Sequence, residues 1–178
     1  MRRAVFVDRD GVLNAAVVVD GRPFPPASAH GLQFLPGVRA RIDELRRLDM
    51  LLICVTNQPD VARGTASRSA VEAVNERVRV EMGLDELLAC YHDDADQCAC
   101  RKPRPGLLLA AAARLDIDLP HSYMIGDRWR DVGCGAAAGC ITVFVDYGYG
   151  ETYRGPAPAY TCASAAQAFD LVLSRERG

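Results

Sequence analysis

Four short polar segments of this 178-residue chain carry residue types that together could bind a divalent cation and the oxygens of an anion. Asp8 and Asp10 lie two positions apart, and Asp127 adds a third carboxylate. Thr56 supplies a hydroxyl and Lys102 an ammonium group. Carboxylates gathered around one point repel each other unless a cation lies among them, and Mg²⁺ prefers such hard oxygen ligands together with phosphate oxygens. If the fold brings these five residues together, they predict a Mg²⁺ site.

A second group of residues has the composition and spacing of a zinc site. Three of the seven cysteines crowd beside a histidine, in the order Cys90, His92, Cys98 and Cys100. Three thiolates and one imidazole are a ligand set of structural Zn²⁺, in which four protein ligands leave no open position. Lys102 follows the last ligand by two residues, so we expect the zinc to fix where this side chain points. The alternative is a flexible loop with incidental thiols, or a disulfide formed on oxidation.

Composition excludes several classes of protein. The formal net charge is −2, from 21 Lys and Arg against 23 Asp and Glu, which argues against a strongly basic nucleic-acid-binding protein. Hydrophobic residues make up 49% of the chain, enough for a real core. No apolar run approaches the roughly 20 residues that span a bilayer, and no secretory signal is evident. We therefore expect one domain over residues 1–178, cytoplasmic and monomeric, with no nucleic-acid or membrane partner.

Short apolar runs alternate with helical patterns along the chain. The runs predict buried strands at 4–7, 51–55, 87–91, 122–125 and 141–145. Apolar spacing and capping residues predict helices at 37–49, 67–82, 105–115, 130–138 and 164–174. Residues 14–36 and 92–104 are interpreted as loops, and the Tyr-, Gly- and Pro-rich stretch 147–160 most simply as a surface loop. The alternation predicts an α/β, Rossmann-like three-layer sandwich with a mostly parallel sheet of about five or six strands.

The predicted strands explain how distant segments could meet. Asp8 follows the first strand, Thr56 the second and Asp127 the fourth. In open α/β sheets, ligands bind outside the carboxyl ends of the strands. We therefore expect these side chains at one edge of the sheet, where the loop after the third strand adds Lys102.

In order and spacing, the four polar segments resemble the four motifs of the haloacid-dehalogenase (HAD) superfamily of phosphotransferases. A single Asp-x-Asp-Gly would be weak support, but four motifs in register over nearly the whole chain are specific. The segments that carry the resemblance are DRDGVLN at 8–14, TNQ at 56–58, RKP at 101–103 and GDRWRD at 126–131.

The resemblance implies a Mg²⁺-dependent phosphatase that works through an aspartyl-phosphate intermediate. Asp8 would attack phosphorus in line, and Asp10 would protonate the leaving alcohol and then deprotonate the hydrolytic water. Mg²⁺ would bind the Asp8 carboxylate, the Asp10 backbone carbonyl and Asp127. Lys102 and the Thr56 hydroxyl would hold the non-bridging phosphate oxygens.

Substrate contacts must come from short loops, because no insertion is large enough for a separate cap domain. Only about forty residues separate the first two motifs, and a helix and a strand need much of that length. Arg101 is the best candidate to bind a second phosphate, since its planar guanidinium can do so bidentately. Asp131 either supports the metal or is an acidic residue in the first turn of a helix. The other residues expected to bind substrate are Arg9, Asn57, Gln58 and Arg128.

The Cys-x-His…Cys-x-Cys-Arg-Lys-Pro signature at 90–103 resembles capless HAD phosphatases with two activities. One removes the 7-phosphate of D-glycero-D-manno-heptose 1,7-bisphosphate, and the other hydrolyses histidinol phosphate. The Pro-Gly at 105–106 is typical of the heptose branch, whereas the short zinc loop is shared with the histidinol branch and Tyr91 replaces the usual proline. A heptose bisphosphate has the second phosphate that Arg101 would bind, so it is the favoured substrate. Histidinol phosphate is the alternative, followed by a nucleic-acid 3′-phosphatase and a non-catalytic, zinc-clipped binding module.

Overall fold

The computed structural model describes residues 1–178 and contains eight strands. In chain order they are β1 (Ala4–Val7), β2 (Val17–Val19), β3 (Arg22–Phe24), β4 (Leu51–Asn57), β5 (Glu86–Cys90), β6 (Tyr123–Gly126), β7 (Ile141–Val145) and β8 (Tyr160–Cys162). Six of them form one sheet in the order β5-β4-β1-β6-β7-β8, and all neighbours in it are parallel. The predicted parallel sheet is therefore confirmed.

Five α-helices cover both faces of this sheet. They are α1 (Val38–Arg47), α2 (Arg68–Met82), α3 (Gly106–Leu115), α4 (Trp129–Ala138) and α5 (Ala165–Arg177). Successive side chains of β1 point to opposite faces. Val5 and Val7 pack into a core shared with α1, α2 and α5, whereas Phe6 packs into a core shared with α3 and α4. This arrangement is the three-layer sandwich that the sequence predicts. None of the helices combines the length and apolar character needed to cross a bilayer.

Local capping chemistry sets the ends of α2 as predicted. The Ser67 hydroxyl accepts a hydrogen bond from the backbone N–H of Ala70 at 3.2 Å. Gly83 ends the helix with a φ of 63°, a left-handed conformation that glycine adopts without strain. The helix therefore begins and ends where sequence signals place it.

Three boundaries differ from the sequence prediction. Residues 17–24, interpreted as loop, form the antiparallel β2–β3 hairpin, whose valines are about half exposed. A strand pair that stands off the core shows no inward–outward alternation, so the pattern cannot reveal it. The sequence also does not predict the edge strand β8, because three residues are too few to show a strand pattern. β4 extends two residues beyond its apolar run, so Thr56 and Asn57 lie within the strand.

The strand order places the predicted site at the middle of the sheet. β1 lies between β4 and β6, and all three run in the same direction. Asp8 therefore leaves the sheet between Thr56 on one side and Asp127 on the other. The crevice expected at the carboxyl ends of the strands is thus centred on Asp8.

Leu52→Ala should lower the free energy of unfolding by about 2–5 kcal/mol, because it removes a fully buried side chain from β4 and leaves a cavity. The matched control is Leu109→Ala on α3, where the leucine is 47% exposed and the expected change is within about 0.5 kcal/mol. Urea denaturation of both variants measures the difference. Equal losses in the two variants would contradict the assignment of Leu52 to the core.

Candidate active site

A buried lysine joins two carboxylates at the centre of the site. Lys102 Nζ lies 2.9 Å from Asp8 Oδ1 and 2.7 Å from Asp131 Oδ1. The same ammonium donates to the Val55 carbonyl at 2.7 Å, and the Lys102 side chain is 2% exposed. An ammonium has three N–H donors, so every donor of Lys102 has a partner. The lysine therefore fixes the Asp8 carboxylate at the end of β1.

Asp131 lies in the first turn of α4 and pairs with the buried lysine. Its Oδ1 pairs with Lys102, while its Oδ2 accepts a hydrogen bond at 3.0 Å from the Arg128 backbone N–H at the start of α4. The side chain is 1% exposed. Gly126 packs so closely on it that a Cβ at this position would overlap the Asp131 side chain. Asp131 thus links the helix start to the lysine.

Three carboxylates lie close enough to share a cation. One oxygen from each of Asp8, Asp127 and Asp131 lies within 4.8 Å of the others. Burial raises the pKa of Asp8 to about 6, and repulsion from Asp131 adds to this, while Lys102 acts in the opposite direction. Burial, together with repulsion from Asp8 and Asp131, also raises the pKa of Asp127. Burial and mutual repulsion thus make the ionised form of these carboxylates unfavourable. A divalent cation bound among them would stabilise the ionised form.

The turn after β1 fits the same cation site. Gly11 has a φ of 82°, and an added Cβ would overlap the Asp127 carboxylate, so only glycine allows this approach. The backbone carbonyl of Asp10, which precedes it, accepts no backbone hydrogen bond. The residues present therefore fit Mg²⁺, with oxygen donors available from Asp8, Asp10 and Asp127.

The Asp10 carboxylate is held from behind by three side chains. Its Oδ2 accepts from Gln58 Nε2 and from Arg9 Nη2, both at 3.0 Å, and its Oδ1 accepts from Asn14 Nδ2 at 2.9 Å. Arg9 also donates to Asn75 and is 1% exposed, as is Gln58. Arg9 and Gln58, which the sequence predicts to bind substrate, are thus buried behind Asp10 and hold its carboxylate.

The Asn57 side chain holds the backbone of Lys102. Asn57 Nδ2 donates to the Lys102 carbonyl at 3.1 Å, and the Lys102 N–H donates to Asn57 Oδ1 at 3.0 Å. The side-chain amide is thus engaged at both ends, and Asn57, predicted to bind substrate, also lines the cavity above the site. The neighbouring Thr56 hydroxyl accepts from Gln58 Nε2 at 3.0 Å and lines the cavity above the site.

A cavity of about 620 Å³ opens in front of these residues, and charged side chains form most of its wall. Arg101 and Arg128, both predicted to bind substrate, lie in this wall. Arg101 Nε donates to Asp94 Oδ1 at 2.8 Å, and Arg128 Nη2 donates to Glu151 Oε1 at 2.7 Å. Arg130, which the sequence did not single out, donates to both Asp94 oxygens at 3.0 and 3.2 Å. No sequence spacing marks these partners, because they come from separate loops.

The four predicted zinc ligands converge. Cys100 Sγ lies 3.1 Å from Cys90 Sγ and 3.4 Å from Cys98 Sγ, and His92 Nδ1 lies 3.6 Å from Cys90 Sγ. A tetrahedral site with Zn–S bonds of 2.3 Å has S···S edges of about 3.8 Å, so the cluster needs little expansion to hold the ion. All four ligand atoms lie within 4.8 Å of one another, and the cysteines are free thiols.

Comparisons with known proteins identify the family of the chain. Residues 99–168 match the family model described as "HAD-hyrolase-like". The chain is 35% identical to the D-glycero-beta-D-manno-heptose-1,7-bisphosphate 7-phosphatase of Bordetella bronchiseptica over 154 residues, which cover 84% of this chain and 83% of that protein. It is 34% identical to the Vibrio cholerae enzyme of the same name, over 88% of each chain.

A solved structure extends the similarity to the fold. The crystal structure of the Bordetella bronchiseptica D,D-heptose 1,7-bisphosphate phosphatase, complexed with magnesium and phosphate, superposes with a TM-score of 0.83 at 29% sequence identity. The alignment covers 97% of this chain and 99% of that one. The chain belongs to the HAD phosphatases, in the family of the D-glycero-beta-D-manno-heptose-1,7-bisphosphate 7-phosphatases.

Proposed function

We propose that this enzyme hydrolyses the 7-phosphate of D-glycero-β-D-manno-heptose 1,7-bisphosphate, with Asp8 as the nucleophile. The observation that carries the proposal is the fixed Asp8 carboxylate, 2.9 Å from a buried lysine, at the floor of a cavity whose wall holds several arginines. An anionic nucleophile next to cationic side chains suits a phosphate ester. The names of the related enzymes support the choice of sugar.

Two carboxylates would carry out the reaction in two steps. An Asp8 oxygen forms a bond to phosphorus as the bond from phosphorus to the sugar oxygen breaks, and Asp10 gives that oxygen a proton. A water molecule then attacks phosphorus while Asp10 takes its proton, and the bond between phosphorus and Asp8 breaks. Arg9, Gln58 and Asn14 hold the Asp10 carboxylate for both transfers. The Thr56 hydroxyl, at the cavity wall, would hold a non-bridging oxygen.

Asp8, the Asp10 carbonyl and Asp127 would hold Mg²⁺. When bound, the ion neutralises charge between the anionic nucleophile and the anionic phosphate. Magnesium and phosphate occur together in the related Bordetella bronchiseptica structure, which supports this assignment. Asp131 Oδ1 pairs with Lys102 and its Oδ2 accepts from the Arg128 backbone N–H, so we assign Asp131 to the lysine rather than to the metal.

The paired arginines of the cavity wall would bind the second phosphate. Arg101 and Arg130 both pair with Asp94, and Arg101 Nη2 also lies 3.8 Å from Asp93 Oδ1. Their guanidinium groups at the cavity wall would favour a substrate with an anion at its far end. Histidinol phosphate has no such group, which makes it the second candidate.

The zinc ligands would hold the loop that delivers Arg101 and Lys102. Arg104 Nη1 donates to the Cys98 carbonyl at 2.7 Å, and Arg101 Nη1 donates to the His92 carbonyl at 3.3 Å. Backbone atoms of two zinc ligands thus anchor the side chains that follow. We assign the zinc a structural role, because four protein ligands leave no position for substrate.

Asp8→Asn should reduce phosphate release from the heptose bisphosphate about 10³-fold or more, because an amide cannot form the acyl phosphate. Release of inorganic phosphate with Mg²⁺ present measures the rate. The matched control is Asp116→Asn, a change of the same atoms at an exposed carboxylate after α3, which should keep the wild-type rate. A rate above one hundredth of wild type in Asp8→Asn would rule out this nucleophile.

The wild-type enzyme should prefer the heptose bisphosphate to histidinol phosphate by about 100-fold in kcat/KM, which is about 2.7 kcal/mol. In Arg101→Gln, the rate with the bisphosphate should fall about 10-fold or more, while that with heptose 7-phosphate, which lacks the second phosphate, should change little. Steady-state kinetics with the three substrates tests both statements. A preference for histidinol phosphate would overturn the substrate assignment and leave the Asp8 chemistry unchanged.

Cys98→Ser should remove the zinc, lower Tm by about 5 °C or more, and reduce kcat/KM about 10-fold or more through misplacement of Lys102. Metal analysis, a thermal scan and the phosphate assay give the three values. Cys162→Ser, at a cysteine outside the cluster, is the control and should retain one zinc per chain. Full activity in a zinc-free Cys98→Ser protein would show that the ion does not position the lysine.

A further inference from the structure

The Tyr- and Gly-rich segment after β7 lies against the proposed metal site. We name residues 147–153 the tyrosine strap. The Tyr147 hydroxyl donates to the Gly11 carbonyl at 2.9 Å, across 136 positions of sequence. Tyr149 and Asp127 line the same cavity of about 400 Å³ beside the active site. The sequence assigns this segment to a surface loop, but the structure places it against the turn after β1 and beside Asp127.

Several contacts hold the strap in place. The rings of Tyr147 and Tyr149 pack against each other with centroids 5.6 Å apart. The Gly150 N–H donates to the Gly21 carbonyl of the β2–β3 hairpin at 2.9 Å, and Glu151 pairs with Arg128. The strap is therefore anchored on both sides of the cavity, and its hydroxyls are brought to the site in a fixed arrangement.

The Tyr147 hydrogen bond acts on the turn that carries one proposed ligand. The Gly11 N–H donates to the Asn14 carbonyl at 2.7 Å, and the Gly11 carbonyl accepts from Tyr147, so both polar groups of this glycine are engaged. A trans peptide points its N–H and its C=O in opposite directions. Fixing the Gly11 N–H therefore fixes the direction of the Asp10 carbonyl, and Tyr147 holds the other side of the same residue.

The same glycine contacts the second proposed ligand. A Cβ on Gly11 would overlap the Asp127 carboxylate, which shows that the backbone rests directly on that side chain. Asp127 is 3% exposed and has no Lys or Arg within ion-pair distance, in contrast to Asp8, Asp10 and Asp131. Tyr149 is therefore the neighbour that can orient the Asp127 carboxylate before a cation arrives.

We infer that Tyr147 and Tyr149 are positioning residues of the magnesium site, which hold the Asp10–Gly11 turn and Asp127 at the separation that the ion needs. This inference rests on the proposed assignment of Asp8, Asp10 and Asp127 as its ligands. Partners that orient metal ligands typically change metal affinity by about 10- to 100-fold when they are removed. The two tyrosines reach the site from outside the four motifs, so no motif predicts them.

The test is Mg²⁺ binding without substrate. Trp129, the single tryptophan of the chain, lies two residues from Asp127 in the wall of the same cavity, so its fluorescence should report the titration, with calorimetry as a second measurement. Tyr147→Phe and Tyr149→Phe each remove one hydroxyl and should each raise the Mg²⁺ dissociation constant about 10-fold. At saturating Mg²⁺, kcat should return to within about threefold of wild type, because the ligands themselves are unchanged.

Tyr153→Phe is the matched control. Its hydroxyl lies on the same strap but donates to the Pro156 carbonyl, so its loss should leave the Mg²⁺ dissociation constant within about twofold of wild type. A lowered Tm with unchanged Mg²⁺ affinity in Tyr147→Phe and Tyr149→Phe would show a merely structural role and overturn the inference. Wild-type protein that binds no Mg²⁺ would overturn both the inference and the metal assignment. If Mg²⁺ binds as expected but the heptose bisphosphate is not hydrolysed, only the substrate assignment would be overturned.

Discussion

The site is organised around one buried ammonium group. Lys102 Nζ contacts Asp8, Asp131 and the Val55 carbonyl, and so connects the ends of β1 and β4 with the first turn of α4. A buried ammonium without these partners is strongly destabilised by desolvation. The lysine therefore stays charged only while the three elements hold their partner groups around it. Asn57 brackets the lysine backbone, and the cysteine–histidine cluster lies just before it in the chain. The nucleophile therefore has a fixed position without depending on substrate.

The charges around this lysine do not balance within the protein. The four carboxylates of Asp8, Asp10, Asp127 and Asp131 face only two buried cations, Lys102 and Arg9. Two negative charges remain, and repulsion between the carboxylates adds to the burial that raises the pKa values of Asp8 and Asp127. A divalent cation would supply the missing charge. It would also allow Asp8 to stay ionised, which a nucleophilic carboxylate requires.

The strand ends and the cysteine cluster could be predicted from the sequence because both signals are local. Apolar runs that stop at a polar residue place Asp8, Thr56 and Asp127 at one edge of a parallel sheet, and the spacing of the cysteines needs only a loop to close. The direction of a side chain after a strand depends on the turn that follows, which explains why Arg9 and Gln58 lie behind Asp10 instead of in the cavity. Partners from separate loops, such as Glu151 for Arg128, leave no pattern in the sequence.

An open site without a cap must obtain its selectivity from groups that are already in place. The wall arginines meet this requirement, because Asp94 and Glu151 hold them in fixed positions and limit the side-chain entropy lost on binding. The same acids weaken the attraction for any single phosphate, since a ligand must compete with an existing ion pair. A substrate with phosphates at both ends gains from the metal site and from the guanidinium groups of Arg101 and Arg130 at once. A monophosphate gains from only one of them. The ion-paired arginines therefore favour the bisphosphate, because they lower the affinity for monophosphates more than the affinity for the bisphosphate.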